Sequence, residues 1–320
     1  VNNNEGDLME KICFGVDIGG TTIKAGMFDT KGNLLDKWEF NTIRSGDGRA
    51  LLFSIAEFVR ETMHYHKLTD NQVAGVGVGV PGPVRDDGYI YILPNLGMSD
   101  FNLEQELKKI LGLKVKAGND ANVAALGELW MGGGKGSESM VMITLGTGIG
   151  GGIIINGRVV AGDRGAAGEI GHIMVNDDET EVCGCGKKGC LEQYSSATGI
   201  VKLAKAYLAD SDEPSRMRAY QNLNAKAVFD CAKASDKLAK NVVEDACRYL
   251  GKALAQVAQV IDPEAFVIGG GVSKAGDILL RTTKRYYESM VMDALKNKKF
   301  RLAVLGNDAG IYGAAKLVIA

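Results

Sequence analysis

Apolar residues open this chain twice in the same way. Apolar runs ended by glycine predict a strand over Cys13–Asp17, a tight turn at Gly19-Gly20-Thr21-Thr22 and a second strand over Ile23–Phe28. Asp29–Asn33 makes another turn, and Leu34–Phe40 a third strand. The pattern returns at Met140–Leu145, the Gly146-Thr147-Gly148 turn, Gly151–Ile155 and Arg158–Ala161. Asn156-Gly157 predicts a type I′ hairpin turn, whose two central residues need positive φ. Helices and buried strands follow each meander. Leu51, Leu52, Ile55, Phe58, Val59 and Met63 share one helical face, and Gly75–Val80 is near-continuous in valine and glycine, as parallel strands are. Val242, Ala246, Leu250, Ala253, Val257 and Ile261 predict a long helix that Asp262-Pro263 stops, because a residue before proline disfavours the helical region. Ala265–Ile268 is the next strand.

A duplicated antiparallel meander followed by α/β units predicts an α/β chain of two ribonuclease-H-like domains around a cleft, the actin-like ATPase architecture. The boundary is expected near Gly118. Residues 1–118 would form the N-terminal domain and 119–307 a larger one, with a last helix over about 308–320 placed to pack back on the first. The 320 residues, 46% hydrophobic and 24% charged, suffice for two cores. A net charge of -2 argues against a nucleic-acid partner, which would need a basic stripe. Met140–Gly157 lacks charge over a membrane-spanning length, but its six glycines and Asn-Gly turn read as a buried hairpin. The polar N-terminal residues show no leader pattern, so a cytoplasmic protein without a membrane partner is expected. Clustered cysteines in that compartment read as metal ligands before disulfides.

Cys183, Cys185 and Cys190 lie within eight residues and follow Glu169-Ile170-Gly171-His172. With His172 they make a closed Cys₃His set for a structural zinc. Glu169 and Glu192 flank these ligands, a placement suited to reading the hydroxyls of a neutral ligand such as a sugar. Cys13, Cys231 and Cys247, in apolar or helical surroundings, read as buried small residues. Asp17-Ile18-Gly19-Gly20-Thr21-Thr22-Ile23-Lys24 ends the first strand. Its glycines would let backbone N–H groups approach phosphate, its threonines would add hydroxyl donors, Asp17 could hold Mg²⁺ through water, and Lys24 could sit near the phosphates. A lone Gly-Gly-Thr reads first as a plain hairpin turn. Thr147-Gly148 in the equivalent turn, and Gly270-Gly271 after a buried strand, shift the reading towards a nucleotide. Gly77-Gly79-Gly82 and Gly146-Gly148-Gly151 match G-x-G-x-x-G, but neither leads from a strand into a helix, which excludes a dinucleotide fingerprint. Asn119-Asp120 starts a helix over Ala121–Trp130. Either residue could be an N-cap, or Asp120 could be a catalytic base kept ionised by the helix terminus.

Taken together, Asp17–Lys24, Gly77–Pro83, Leu93-Pro94-Asn95-Leu96, Asn119–Asn122, the Gly146 turn, Gly168–His172, the Cys-x-Cys-Gly-x-x-Gly-Cys-x-Glu run and Val267–Ser273 resemble the ROK (repressor, open reading frame, kinase) sugar kinases over nearly the whole chain, and most closely their bacterial glucokinases. The resemblance implies phosphorylation of glucose at its 6-hydroxyl by ATP with Mg²⁺, a structural Zn²⁺, and a homodimer or homotetramer. Asp120 would be the base. Gly79 backbone, Asn95, Asn119, Glu169, His172 and Glu192 would contact the sugar, His172 using its second ring nitrogen. After Asn95-Leu96 many relatives carry Pro-Gly-Trp where this chain has Gly97-Met98-Ser99. The alternatives are a kinase for mannose, N-acetylmannosamine, allose or fructose, and a non-catalytic sugar-sensing relative.

Overall fold

The computed structural model describes residues 11–43, 48–93 and 96–319, which fall into two compact units. The first comprises Val1–Met131, Arg158–Ala167 and Asn307–Ala320; the second comprises Gly132–Gly157 and Gly168–Gly306.

In the first unit, β1 (Ile12–Ile18), β2 (Thr22–Asp29) and β3 (Leu34–Asn41) form the expected antiparallel meander. Helix α1 (Arg49–Tyr65) buries the predicted Leu51, Leu52, Ile55, Val59 and Met63 and leads to β4 (Val73–Val80), which runs parallel to β1. A hairpin of β5 (Tyr89–Leu93) and β6 (Met98–Asn102), then α2 (Leu103–Leu111), leads to β7 (Val115–Asn119) beside β4. The sheet order is β3-β2-β1-β4-β7. Helix α3 (Asp120–Met131) follows β7 directly.

The second unit repeats the plan. β8 (Met140–Leu145) and β9 (Ile149–Ile155) pair antiparallel across the uncharged stretch, and Asn156 (φ 51°) and Gly157 (φ 73°) supply the two positive angles of a type I′ turn, after which the short β10 (Arg158–Val159) is counted with the first unit. The segment that holds His172 and the three clustered cysteines follows, and then four helices: α4 (Glu192–Ser195), α5 (Ala197–Ala209), α6 (Ala225–Lys233) and α7 (Lys237–Ile261). β11 (Ala265–Gly269) lies parallel to β8, α8 (Asp277–Met290) crosses back, and β12 (Lys299–Leu302) lies parallel to β11. The stripe on α7 is buried at Val242, Ala246, Leu250, Ala253 and Val257, and the helix ends at Asp262 in the left-handed region (φ 50°) just before Pro263. Asp236 caps its start by accepting the Ala239 N–H at 3.0 Å. Cys13, Cys231 and Cys247 are free and buried.

The sequence reading put α3 at the head of the second domain, but the helix groups with the first unit. The cause is its packing on the closing helix α9 (Ala309–Ile319). A Cβ on Gly127 would overlap the Ala309 carbonyl oxygen, and one on Gly313 would overlap that of Val123. The same helix lies on the sheet so closely that a Cβ on Gly15 or Gly77 would overlap the carbonyl oxygens of Ile311 or Ala314. Gly77→Ala should therefore destabilise the fold by about 3 kcal/mol. Gly271→Ala, where no atom stands within 4 Å, should stay within about 0.5 kcal/mol of wild type in urea denaturation. Equal midpoints for the two variants would show that α9 does not need this close approach.

Candidate active site

Asp17 and Asp120 stand at the ends of two strands of one sheet. Asp17 pairs in register with Lys24 of β2 and Gly79 of β4, and Asn119, the last residue of β7, is paired with Val80. Two glycines make room for the Asp17 carboxylate. A Cβ on Gly79 would lie 3.3 Å from its Oδ1, and one on Gly310, in the first turn of α9, would collide with its Oδ2. Burial pushes the Asp17 carboxyl up to about 6, the Asp120 charge pushes the same way, and Lys24 opposes them. A carboxylate under that strain gains most from a cation. Gly310 was not singled out in the sequence. Its one signal is a glycine inside the first turn of a helix, where it costs about 1 kcal/mol relative to alanine and needs a steric reason.

The Gly19–Thr22 turn is closed internally. The Gly19 N–H donates to the Thr22 carbonyl at 2.9 Å, the Gly19 carbonyl accepts from the Thr42 hydroxyl at 2.8 Å, and the Thr21 carbonyl accepts the Thr42 N–H at 2.9 Å. Gly19 thus holds the turn in shape, with Gly20 and the exposed Thr21 at its tip. Thr22 Oγ1 lies 3.4 Å from that of Thr21. Lys24 Nζ reaches the Asn307 carbonyl at 3.2 Å, just before α9.

Asn119, rather than Asp120, caps α3. Its Oδ1 accepts the N–H groups of Ala121 (3.0 Å) and Asn122 (3.2 Å), while its Nδ2 donates to Asp120 Oδ1 (3.0 Å) and to the Gly82 carbonyl (3.2 Å). The exposed Asp120 also accepts the Ala121 N–H at 2.8 Å. The amide expected to touch a sugar is therefore engaged in orienting the neighbouring carboxylate. Asn95 lies outside the described residues.

In the second unit the metal set comes together. His172, Cys183, Cys185 and Cys190 offer ligand atoms all within 4.8 Å of one another. Cys185 and Cys190 sulfurs are 3.6 Å apart, and His172 Nδ1 lies 3.8 Å from Cys183 Sγ. Tetrahedral zinc with ~2.3 Å sulfur bonds sets such atoms roughly 3.8 Å apart, so the donor set fits that ion. Local backbone shapes the loop: a bridge pairs Met174 with Cys190, another pairs Val182 with Lys188, and Gly189 is left-handed (φ 73°) against the Asn176 carbonyl. Because Nδ1 faces the sulfurs, the other ring nitrogen, Nε2, is on the opposite edge, 4.0 Å from Glu169 Oε2. When bound, zinc would tie this loop together as a closed structural site.

Glu192 begins α4, two residues after Cys190. Its Oε2 accepts the Ile149 N–H at 2.8 Å, and Oε1 lies 3.9 Å from Cys183 Sγ. A side chain on Gly148 would strike that carboxylate, so Gly148 serves Glu192 as well as the turn. The turn is closed by Gly146 N–H to the Gly148 carbonyl (2.9 Å). The Gly146 carbonyl accepts from Ala197 N–H (2.8 Å) and the Thr147 carbonyl accepts from the Thr198 hydroxyl (3.0 Å). Gly270, with φ 82°, sits against the Leu145 carbonyl, and Gly271 follows it. Because β8 and β11 are parallel and in register up to Thr144 and Gly269, both glycine turns emerge at the same end of the sheet.

The ROK family model matches residues 13–320. The chain belongs to the ROK family. It is 44% identical over 309 residues to the glucokinase of Halalkalibacterium halodurans, covering 95% of this chain and 94% of that one. A ROK hexokinase structure from Thermus thermophilus superposes with a TM-score of 0.76 at 33% identity, over 97% of both chains. A ROK glucokinase from Streptomyces griseus, solved with glucose and AMPPNP, gives 0.71 at 33% identity, over 96% of this chain and 98% of that one. The two actin-like α/β domains expected from the duplicated meander are the fold of this family, and no helix among the described residues is long and apolar enough to cross a membrane.

Metal analysis of the purified protein should find one zinc per chain. Cys190→Ser should lose it and raise the KM for sugar. A wild-type preparation that is fully folded and zinc-free would contradict the assignment.

Proposed function

We propose that this chain is an ATP-dependent glucokinase that transfers the γ-phosphoryl group of MgATP to the 6-hydroxyl of glucose. The carrying observation, within a ROK chain so similar to a glucokinase, is the division of labour at the start of α3. Asn119 caps the helix and holds Asp120 by a hydrogen bond, which aims an exposed carboxylate from a helix N-terminus. Asp120 orients the 6-hydroxyl and takes its proton as the O–P bond forms. Phosphoryl transfer has a loose transition state, so a positioned carboxylate is sufficient and a strong base is not needed.

Glu169, His172 Nε2 and Glu192 read sugar hydroxyls, with Asn95, Asn119 and the Gly79 backbone completing the set. Asp17 carries the hydrated magnesium of the incoming MgATP. Gly20, Thr21, Thr22, Thr147, Gly148, Gly270 and Gly271 cradle the nucleotide, with Gly19 and Lys24 shaping the first turn. His172, Cys183, Cys185 and Cys190 hold structural zinc and contribute no reacting atom. The enzyme works in the cytoplasm as a homo-oligomer.

A coupled ADP-release assay over glucose, mannose, N-acetylmannosamine, allose and fructose should give glucose the highest kcat/KM. Asp120→Asn should keep glucose affinity while kcat falls by roughly 10²–10⁴. Near-normal turnover in that variant, or a clear preference for another hexose, would overturn the reading.

A further inference from the structure

Between the metal ligands His172 and Cys183 the chain makes a ten-residue excursion with no helix or strand in it. Its two ends carry the candidate metal ligands, and its middle is gripped by side chains of the turn that carries Glu192. The Tyr194 hydroxyl donates to Glu179 Oε2 at 2.6 Å, and Asn176 Nδ2 donates to the Tyr194 oxygen at 2.9 Å. Lys202 Nζ, on α5, reaches Glu179 at 3.2 Å and Glu181 at 2.9 Å. Gln193 joins the same parts a second time: its Oε1 accepts the Cys190 N–H at 3.1 Å and its Nε2 donates to the Glu181 carbonyl at 3.0 Å. The grip is built into the core. Tyr194 is 5% exposed and stacks on Tyr249 of α7 at 4.1 Å between ring centres, with the Arg248 guanidinium over the far ring. The Glu179 side chain is 11% exposed. Burial pushes its carboxyl up, but the bonds from Tyr194, the Glu181 N–H and Lys202 outweigh burial and hold it down at about 2.

We infer that Glu179, through Tyr194 and Lys202, is a positioning residue for sugar recognition. It clamps the metal loop to α4 and α5, so that Glu192 and His172 keep one geometry. This rests on the proposed role of Glu192 and His172 as sugar contacts and adds residues that touch neither sugar nor metal. Charge-assisted bonds inside a mostly buried network are strong, and partners of ligand residues commonly carry tenfold or larger effects.

The test uses the zinc-loaded full chain with Glu179→Gln and Tyr194→Phe, the second removing a single hydroxyl and so keeping the question answerable if the first folds poorly. Each should raise the glucose KM about tenfold, with kcat and the KM for MgATP changed less than about twofold. Each should also speed zinc release to a colorimetric chelator about tenfold, and the double variant should be little worse than either single, as expected for one shared interaction. Wild-type zinc release in both variants, or a KM for MgATP rising in step with that for glucose, would overturn the clamp. The chelator measurement decides this even if the wild type phosphorylated no hexose, an outcome that would sink the proposed function instead.

Discussion

The closeness with which the last helix lies on the rest of the first unit governs its chemistry. α9 meets β1 and β4 through Gly15 and Gly77, and meets α3 through Gly127 and Gly313, at separations that leave no room for a methyl group. Backbone against backbone is a stiff contact, because no side chain can rotate to absorb a shift. One consequence is that Gly310 can sit against the Asp17 carboxylate. Another is that α3, which carries Asp120 in its first turn, is held to the same body as Asp17. Burial and the Asp120 charge both raise the Asp17 carboxyl, and Lys24 opposes them only in part.

The second unit fixes its acids by other means. His172 and the three cysteines are close enough in sequence to be gathered without long-range folding, and the last of them stands two residues before Glu192. That carboxylate is then anchored on the Ile149 N–H, beside the glycine turn of β8 and β9. Glycine does the same work here as in the first unit: Gly148 lets a carboxylate come up against the main chain. In each unit a charged group is held by rigid backbone, which suits a reaction whose catalysis is largely positioning and electrostatics.

Much of this was legible in the sequence, wherever the determinant was local. Asn156-Gly157 named its own turn, the Val242–Val257 stripe gave its helix, and the clustering of His172 with Cys183, Cys185 and Cys190 followed from their spacing. The strand pattern likewise put Asp17 near the end of β1 and Asp120 just after β7. What was not legible depended on partners distant in the chain. The grouping of α3 with the first unit follows from glycines meeting a helix that begins at Ala309, which no local pattern reveals. That Asn119 caps α3 and also bonds the Asp120 carboxylate is visible only in the hydrogen bonds. The β5–β6 hairpin escaped notice because Met98–Asn102 is largely polar and lacks a clean alternation. Gly19 looked like a phosphate donor from composition, yet its N–H closes the turn.

The most direct test is NMR of the product formed from uniformly ¹³C-labelled glucose and MgATP by the purified zinc-bound protein. A single sugar phosphate with phosphorus coupling at C6, produced one for one with ADP, is the predicted result. ADP release without a phosphorylated sugar, or phosphorus on any other carbon, would contradict the placement of the 6-hydroxyl at Asp120.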